Sequence, residues 1–334
     1  MDHLQSRTEV WRSEIIRRTA NAPIRVTRFW GSSSFSEQDE WFFAFLKDNW
    51  YRLRSLHVIL STSSLETFLE IQNLPAPNLV FFKCTFLSFE GLGRSVYPQN
   101  PEGTILLGGG VPRLRNLLVN SRSFHPDVLK FKIPVQMPHF SQLRTLEINP
   151  VYDEENMLEA LSSTPLIETL FLHFSPRRRG TDVAIPLSSP KMLSFPSLKK
   201  LELQVDNNIP ASIRFLKLLD MERCKFTLDL FFFSDVIHDF TDVSPALLGI
   251  LSAYFHHFEG ERLTVQREPL TAYLAPFTVG MKGGPRDFSI VLQTCSWSRI
   301  PDIDLLFRAF ADSYWYETAE ELLLTICTTR LPEL

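Results

Sequence analysis

"LRTLEI", residues 143–148, places Leu143, Leu146 and Ile148 at its first, fourth and sixth positions. Five close variants occur: "LRSLHV" (53–58), "LVFFKC" (79–84), "LRNLLV" (114–119), "IETLFL" (167–172) and "LKKLEL" (198–203). In an extended chain alternate side chains point the same way. Positions four and six therefore face one core: Leu56 with Val58, Leu117 with Val119, Leu146 with Ile148, Leu170 with Leu172, and Leu201 with Leu203. The first position lies on the approach to the strand and is expected to turn inward with them. One such strand cannot bury its face alone, so the recurrence predicts stacking into a parallel sheet.

The phrases begin at 53, 79, 114, 143, 167 and 198, in steps of 24 to 35 residues. Leucine-rich repeats run about 20–29 residues, each a strand followed by a helix or helical turn. The longer steps contain "YPQNPEGTILLGGG" (97–110) and "SPRRRGTDVAIPLSSP" (175–190), which read as loop insertions because Pro, Gly and Ser break regular structure. Helical spacing supplies a second layer. Trp41, Phe42, Phe45 and Leu46 group on residues 36–50, with Ser36 as N-cap. Leu65, Phe68 and Leu69 share a face of 63–73, and Met157, Leu158 and Leu161 one of 154–165. "PIRVTRF" (23–29) reads as an earlier strand, with Ile24 and Val26 inward. The fold class expected is α/β, a leucine-rich-repeat solenoid whose curved parallel sheet is backed by irregular helices and loops. The ninth position, where such repeats carry asparagine, reads Ser61, Leu87, Arg122, Val151, Ser175 and Asp206, so the array is degenerate.

After residue 212 the pattern loosens. "FTLDL" (226–230), "RLTV" (262–265), "DFSIVLQTC" (287–295) and "ELLLTIC" (321–327) read as strands, and 244–258 and 302–315 as helices. The division expected is an N-terminal amphipathic cap over 1–22, degenerate repeats over 23–211, and divergent C-terminal repeats or a cap over 212–334. A small independent C-terminal domain is the alternative.

Hydrophobic content of 44%, charged content of 22% and a net charge of −4 fit an ordinary water-exposed protein and argue against a general nucleic-acid or membrane-surface binder. The longest nearly apolar run, "VSPALLGILSAYF" (243–255), falls short of the roughly 20 residues that span a bilayer. The N-terminus has no apolar signal-peptide core. Cys84, Cys224, Cys295 and Cys327 are far apart, as reduced thiols of a cytoplasmic or nuclear protein would be.

Chemistry-bearing motifs are missing. "LLGGGVP" (106–112) lacks the Lys of a phosphate loop, and "GLGRS" (91–95) lacks the third glycine of a dinucleotide turn; both read as turns. There is no nucleophile elbow and no zinc-protease motif. Adjacent His256 and His257 on a helix point about 100° apart and cannot chelate one ion. "DEE" (153–155) suits a helix start. "RRR" (177–179) suits a solvated loop. No catalytic residue, metal ligand or cofactor is expected.

Positions three, five and seven of the phrases then form the opposite, concave face. The candidate binding residues on it are His57, Phe81, Lys83, Leu118, Asn120, Glu147, Asn149, Phe171, His173, Lys200, Glu202 and Gln204. Apolar Phe81, Leu118 and Phe171 amid charged neighbours match the composition of protein-binding patches.

Three stretches carry a family resemblance: "VWRSEIIRRTANAPIRV" (10–26), "LEALSSTPLIETLFL" (158–172) and "FPSLKKLEL" (195–203). Their order resembles the F-box/leucine-rich-repeat-like proteins abundant in mushroom-forming fungi. The resemblance implies a non-catalytic substrate-recognition subunit, or a fragment of one, of an SCF-type ubiquitin ligase, with a protein client as partner. Such proteins bind a Skp-type adaptor through an F-box. Here the sequence starts just before the helix that follows it, so the adaptor is expected only if an F-box lies upstream. A repeat-only interaction protein, and less favourably a repeat-fold enzyme, are the alternatives.

Overall fold

Each phrase is launched by the same turn. In the computed structural model the backbone N–H of the first-position residue donates to the carbonyl three residues earlier: Leu79 to Ala76 (3.2 Å), Leu114 to Val111 (3.0 Å), Leu143 to Phe140 (3.0 Å), Ile167 to Thr164 (3.4 Å) and Leu198 to Phe195 (3.0 Å). Leu53 donates in the same way to Trp50. All twelve residues of these pairs are buried. In four cases proline follows the residue whose carbonyl accepts, at Pro77, Pro112, Pro165 and Pro196. Its fixed φ near −65° suits the second residue of a tight turn. The structural unit thus begins three residues before the phrase.

The structure describes residues 14, 16–19, 22–28, 37–61, 64–87, 105–108, 110–121, 138–151, 154–174, 192–206, 209–219, 227–234, 246–247, 249–250, 262–267, 277–282, 288–294 and 321–325. The chain divides into two compact units, Met1–Ile167 and Glu168–Leu334. In the first unit five strands follow the chain order: β1 (Ile24–Arg28), β2 (Leu53–Ser61), β3 (Phe81–Leu87), β4 (Asn116–Ser121) and β5 (Thr145–Val151). Every pairing among them is parallel. The register aligns Val26, Leu56, Phe82, Leu117 and Leu146 in one row, and Val58, Cys84, Val119 and Ile148 in the next. All nine are buried, which confirms the inward positions four and six. Ile24, expected to point inward, is half-buried; Arg28, opposite Val58, is buried instead, its guanidinium 4.2 Å from the Phe42 ring centroid. Burial pushes the Cys84 thiol well above its ordinary range, leaving it a small hydrophobe. The other three cysteines lie outside the described residues.

Backbone amides tie the turns together as well. The carbonyl of Val80 accepts from Arg115 (2.9 Å) and Asn116 (3.1 Å), and that of Arg115 from Arg144 (2.8 Å) and Thr145 (3.0 Å). Such bonds satisfy the backbone groups that enter the buried sheet edge.

Helices α1 (Glu37–Asn49), α2 (Leu65–Gln72) and α3 (Glu154–Ser162) belong to this unit. α1 buries Phe42, Phe43, Phe45 and Leu46, with Trp41 stacked on Phe45 at 5.5 Å. α2 buries Leu65, Phe68, Ile71 and Gln72, while Leu69 is half-buried, so its inner face is turned from the one the sequence suggested. The cause is Gln72, whose amide is needed inside. Its Nε2 donates to the Ile105 carbonyl (3.0 Å), and its Oε1 accepts from the Leu107 N–H. Leu107 sits at φ 58° and Gly110 at φ 89°, in the left-handed region, which fits the turn reading of 106–112. Gln72→Leu is expected to destabilise the unit by about 1–3 kcal/mol, because the buried Leu107 N–H loses its partner. A urea titration measures this, with exposed Glu70→Gln as a near-neutral comparator.

The second unit contains β6 (Thr169–Phe174), β7 (Lys200–Asp206), α4 (Ile209–Lys217), β8 (Thr227–Ser234), β9 (Arg262–Arg267), β10 (Phe277–Lys282), β11 (Phe288–Thr294) and β12 (Glu321–Thr325). β6, β7 and β8 are parallel neighbours. Leu170, Leu201 and Leu228 align, as do Leu172, Leu203 and Leu230, all buried. α4, not anticipated from sequence, buries Ala211, Ile213, Phe215 and Leu216, and Phe215 lies 6.0 Å from Phe174.

Beyond β8 the order is β11-β10-β9-β12. β8 pairs β11 and β9 pairs β12 in parallel, but β9, β10 and β11 are antiparallel. A run of regular repeats adds parallel strands in chain order, and β9, β10 and β11 depart from that order. Only residues 283–287 separate β10 from β11, whereas a parallel crossover needs about a dozen residues. β10 also had no counterpart in the sequence reading. The expected helix over 302–315 and most of that over 244–258 lie outside the described residues, as do Ser36 and the loop 175–190.

Candidate functional site

The alternation that sends positions four and six inward leaves three, five and seven on the other side of the sheet. In the first unit they form three rows. Arg25, Ser55, Phe81, Asn116 and Thr145 align; so do Thr27, His57, Lys83, Leu118 and Glu147; so do Ile59, Thr85, Asn120 and Asn149. His57, Phe81, Lys83, Leu118, Asn120, Glu147 and Asn149, all singled out from sequence, are half-buried members of this one face. Half-burial is what close spacing imposes, since strands lie about 4.8 Å apart and each side chain is flanked by two others. Thr85 is buried outright.

In the second unit Thr169, Lys200 and Thr227 align, then Phe171, Glu202 and Asp229, then His173 and Gln204. Phe171, Lys200, Glu202 and Gln204 are half-buried, but His173 is only 9% exposed and offers little surface. The sequence reading missed Asp229. Lys200 Nζ lies 2.8 Å from Glu202 Oε2 and 3.2 Å from Asp229 Oδ2. Extending the two-residue alternation along "FTLDL" would have found Asp229 beside Glu202.

The electrostatics follow from this spacing. Glu202 and Asp229 are directly opposite, a repulsive arrangement that the ammonium of Lys200 relieves. The hydrogen bond to Glu202, ahead of the burial that opposes it, holds the Lys200 pKa above its ordinary value. A raised lysine stabilises the fold below the unfolded value of about 10.4 and loses that contribution as pH rises through the folded value. Lys200→Met is expected to cost roughly 1 kcal/mol or less at neutral pH, because Lys200 is partly solvated. The cost is expected to disappear below about pH 4, where carboxylates are protonated. Thermal melts of both proteins across pH check this. On the first face, burial and then the charge of Lys83 lower the His57 pKa, favouring its neutral ring.

Few groups on these faces can act together chemically. Lys83 and Leu118 separate His57 from Glu147, placing their backbones roughly 14 Å apart at the usual strand spacing, too far for an acid–base pair. Among the described residues no group of three or more His, Cys, Asp and Glu is placed to hold a metal ion. The Asn120 Oδ1 is buried and accepts no hydrogen bond from the protein. No described helix is long and apolar enough to cross a membrane.

The architecture is α/β: among the described residues, mostly parallel strands, few helices, and a sheet face of mixed apolar and charged side chains. Comparison with protein-family models, curated proteins and solved structures finds no match to this chain.

Proposed function

We propose that this chain is a leucine-rich-repeat solenoid that serves as a non-catalytic protein-binding scaffold, with the odd-position face of its strands as the docking surface. The observation that carries the reading is the register. It draws Phe81, Leu118, His57, Lys83 and Glu147 from four separate phrases onto one face of the first unit. Apolar groups edged by charge suit a protein partner, because the apolar centre supplies burial and the rim supplies orientation. The recurring launch turn and parallel pairing support the repeat architecture.

By its resemblance to F-box/leucine-rich-repeat-like proteins, the partner would be a client held for ubiquitin transfer by an SCF-type ligase. The work is geometric: the face binds, and another subunit does the chemistry. A cytoplasmic or nuclear location accords with that role.

Two comparisons test the proposal. Bead-bound protein is challenged with cell extract beside its Leu118→Asp variant and an α2-surface control, Glu66→Gln. Proteins retained by wild type and control but lost with Leu118→Asp support the face; an unchanged set overturns it. Purified Skp-type adaptor is then offered to this chain and to a form extended by the upstream reading frame. Retention by either supports the ligase role, and retention by neither overturns that part alone.

A further inference from the structure

The second position of each phrase marks the start of its strand. In the second unit β6 and β7 carry Glu168 and Lys199 there, and these pair at 2.6 Å. Opposite charges one strand apart neutralise each other. In the first unit the second positions are Arg54, Val80, Arg115 and Arg144.

Arg54 and Arg115 line an open cleft of about 550 Å³ together with Arg113, Asn78, Gln142 and Pro112. Among the described residues no Asp or Glu lines it. All three arginines are exposed. Arg113 Nη1 reaches Asn78 Oδ1 at 3.5 Å, and Asn78 is held in place because its Nδ2 donates to the Tyr51 carbonyl at 2.9 Å. Among the described residues Arg54 and Arg115 have no side-chain hydrogen bond or ion pair. Three like charges around one concavity give it a positive potential that attracts an anion.

We infer that this cleft is an oxyanion site whose ligand carries a diphosphate group. β3 separates β2 from β4, so the backbones of Arg54 and Arg115 stand roughly 10 Å apart. A single carboxylate occupies one guanidinium fork. Two linked phosphoryl groups can engage both flanking arginines, with Arg113 as a third donor, and the cleft lies within the usual range of about 300–1,000 Å³ for small-ligand sites. The site lies at the strand-start edge and does not depend on the sheet-face reading above.

Isothermal titration of the full chain at low salt tests it, with pyrophosphate, ADP and citrate as probes. The expected result is pyrophosphate binding that weakens about 10-fold or more in Arg54→Gln and in Arg115→Gln, as loss of a charge-assisted bond implies. Lys217→Gln, in the other unit, is expected to leave it unchanged, and unaltered melting temperatures show that the variants fold. Equal affinity for ADP and pyrophosphate assigns the site to the diphosphate group alone; tighter ADP binding means that the nucleoside is also seated. Absence of binding, binding indifferent to both arginine variants, or citrate bound as tightly as pyrophosphate overturns the assignment.

Discussion

Leu117→Asp is expected to unfold the first unit. Leu117 is fully buried and lies between Phe82 and Leu146 in register. Removing a buried leucine costs about 2–5 kcal/mol. An unpaired buried carboxylate adds several kcal/mol more. The total rivals the roughly 5–15 kcal/mol that holds a domain folded. Far-UV circular dichroism and a urea titration are expected to show loss of the cooperative transition. Burial raises the introduced carboxyl's folded pKa, so the penalty is smallest below about pH 4 and grows as pH rises through the unfolded value. The neighbour supplies the contrast. Leu118→Asp lies on the half-buried face beside Lys83 and is expected to keep the fold. Similar loss in both variants would contradict the register.

Trp50→Ala carries the second large effect, through the launch turn. Trp50 is buried, its Nε1 donates to the Leu74 carbonyl at 2.8 Å, and its ring meets Phe68 edge-on at 6.4 Å. Phe68 in turn stacks on Phe82 of β3 at 6.2 Å. The indole therefore joins the turn before β2, helix α2 and the sheet. Its truncation is expected to cost about 3–5 kcal/mol. That lowers the melting temperature by roughly 10 °C for a unit of this size. Trp50→Phe keeps most of the packing and is expected to lose about 1 kcal/mol for the hydrogen bond alone. Tyr51→Ala, at 56% exposure, is expected to shift the stability by less than about 0.5 kcal/mol.

The strands β2 to β7 were legible because their signal is local: a two-residue alternation of inward apolar side chains. The launch turn was not read from the sequence; it emerges from the backbone hydrogen bonds that recur three residues before each phrase. α2 was found, yet its inner face was misjudged by giving Leu69 priority over Ile71 and a polar Gln72. Gln72 is inside because Ile105 and Leu107, more than thirty residues away, need its amide. Hydrophobicity cannot report that. The antiparallel return of β9 to β11 was invisible for a related reason: pairing partners are set by tertiary packing and connection length, not by the strands' own composition. The candidate face followed directly from alternation, which is why eleven of its twelve named residues are half-buried while His173 is closed off. Asp229 was missed because the phrase had already lost its first Leu.

Thiol labelling of alternate residues tests the central claim most directly. Single replacements His57→Cys, Val58→Cys, Glu147→Cys and Ile148→Cys are treated with a maleimide under native conditions and read by peptide mass spectrometry. Native Cys84, buried in β3, serves as the internal standard of protection. The account predicts rapid labelling at 57 and 147, and labelling at 58 and 148 as slow as at Cys84. Reversed labelling, or equal labelling at neighbouring positions, would contradict the stacked strands and the open face built on them.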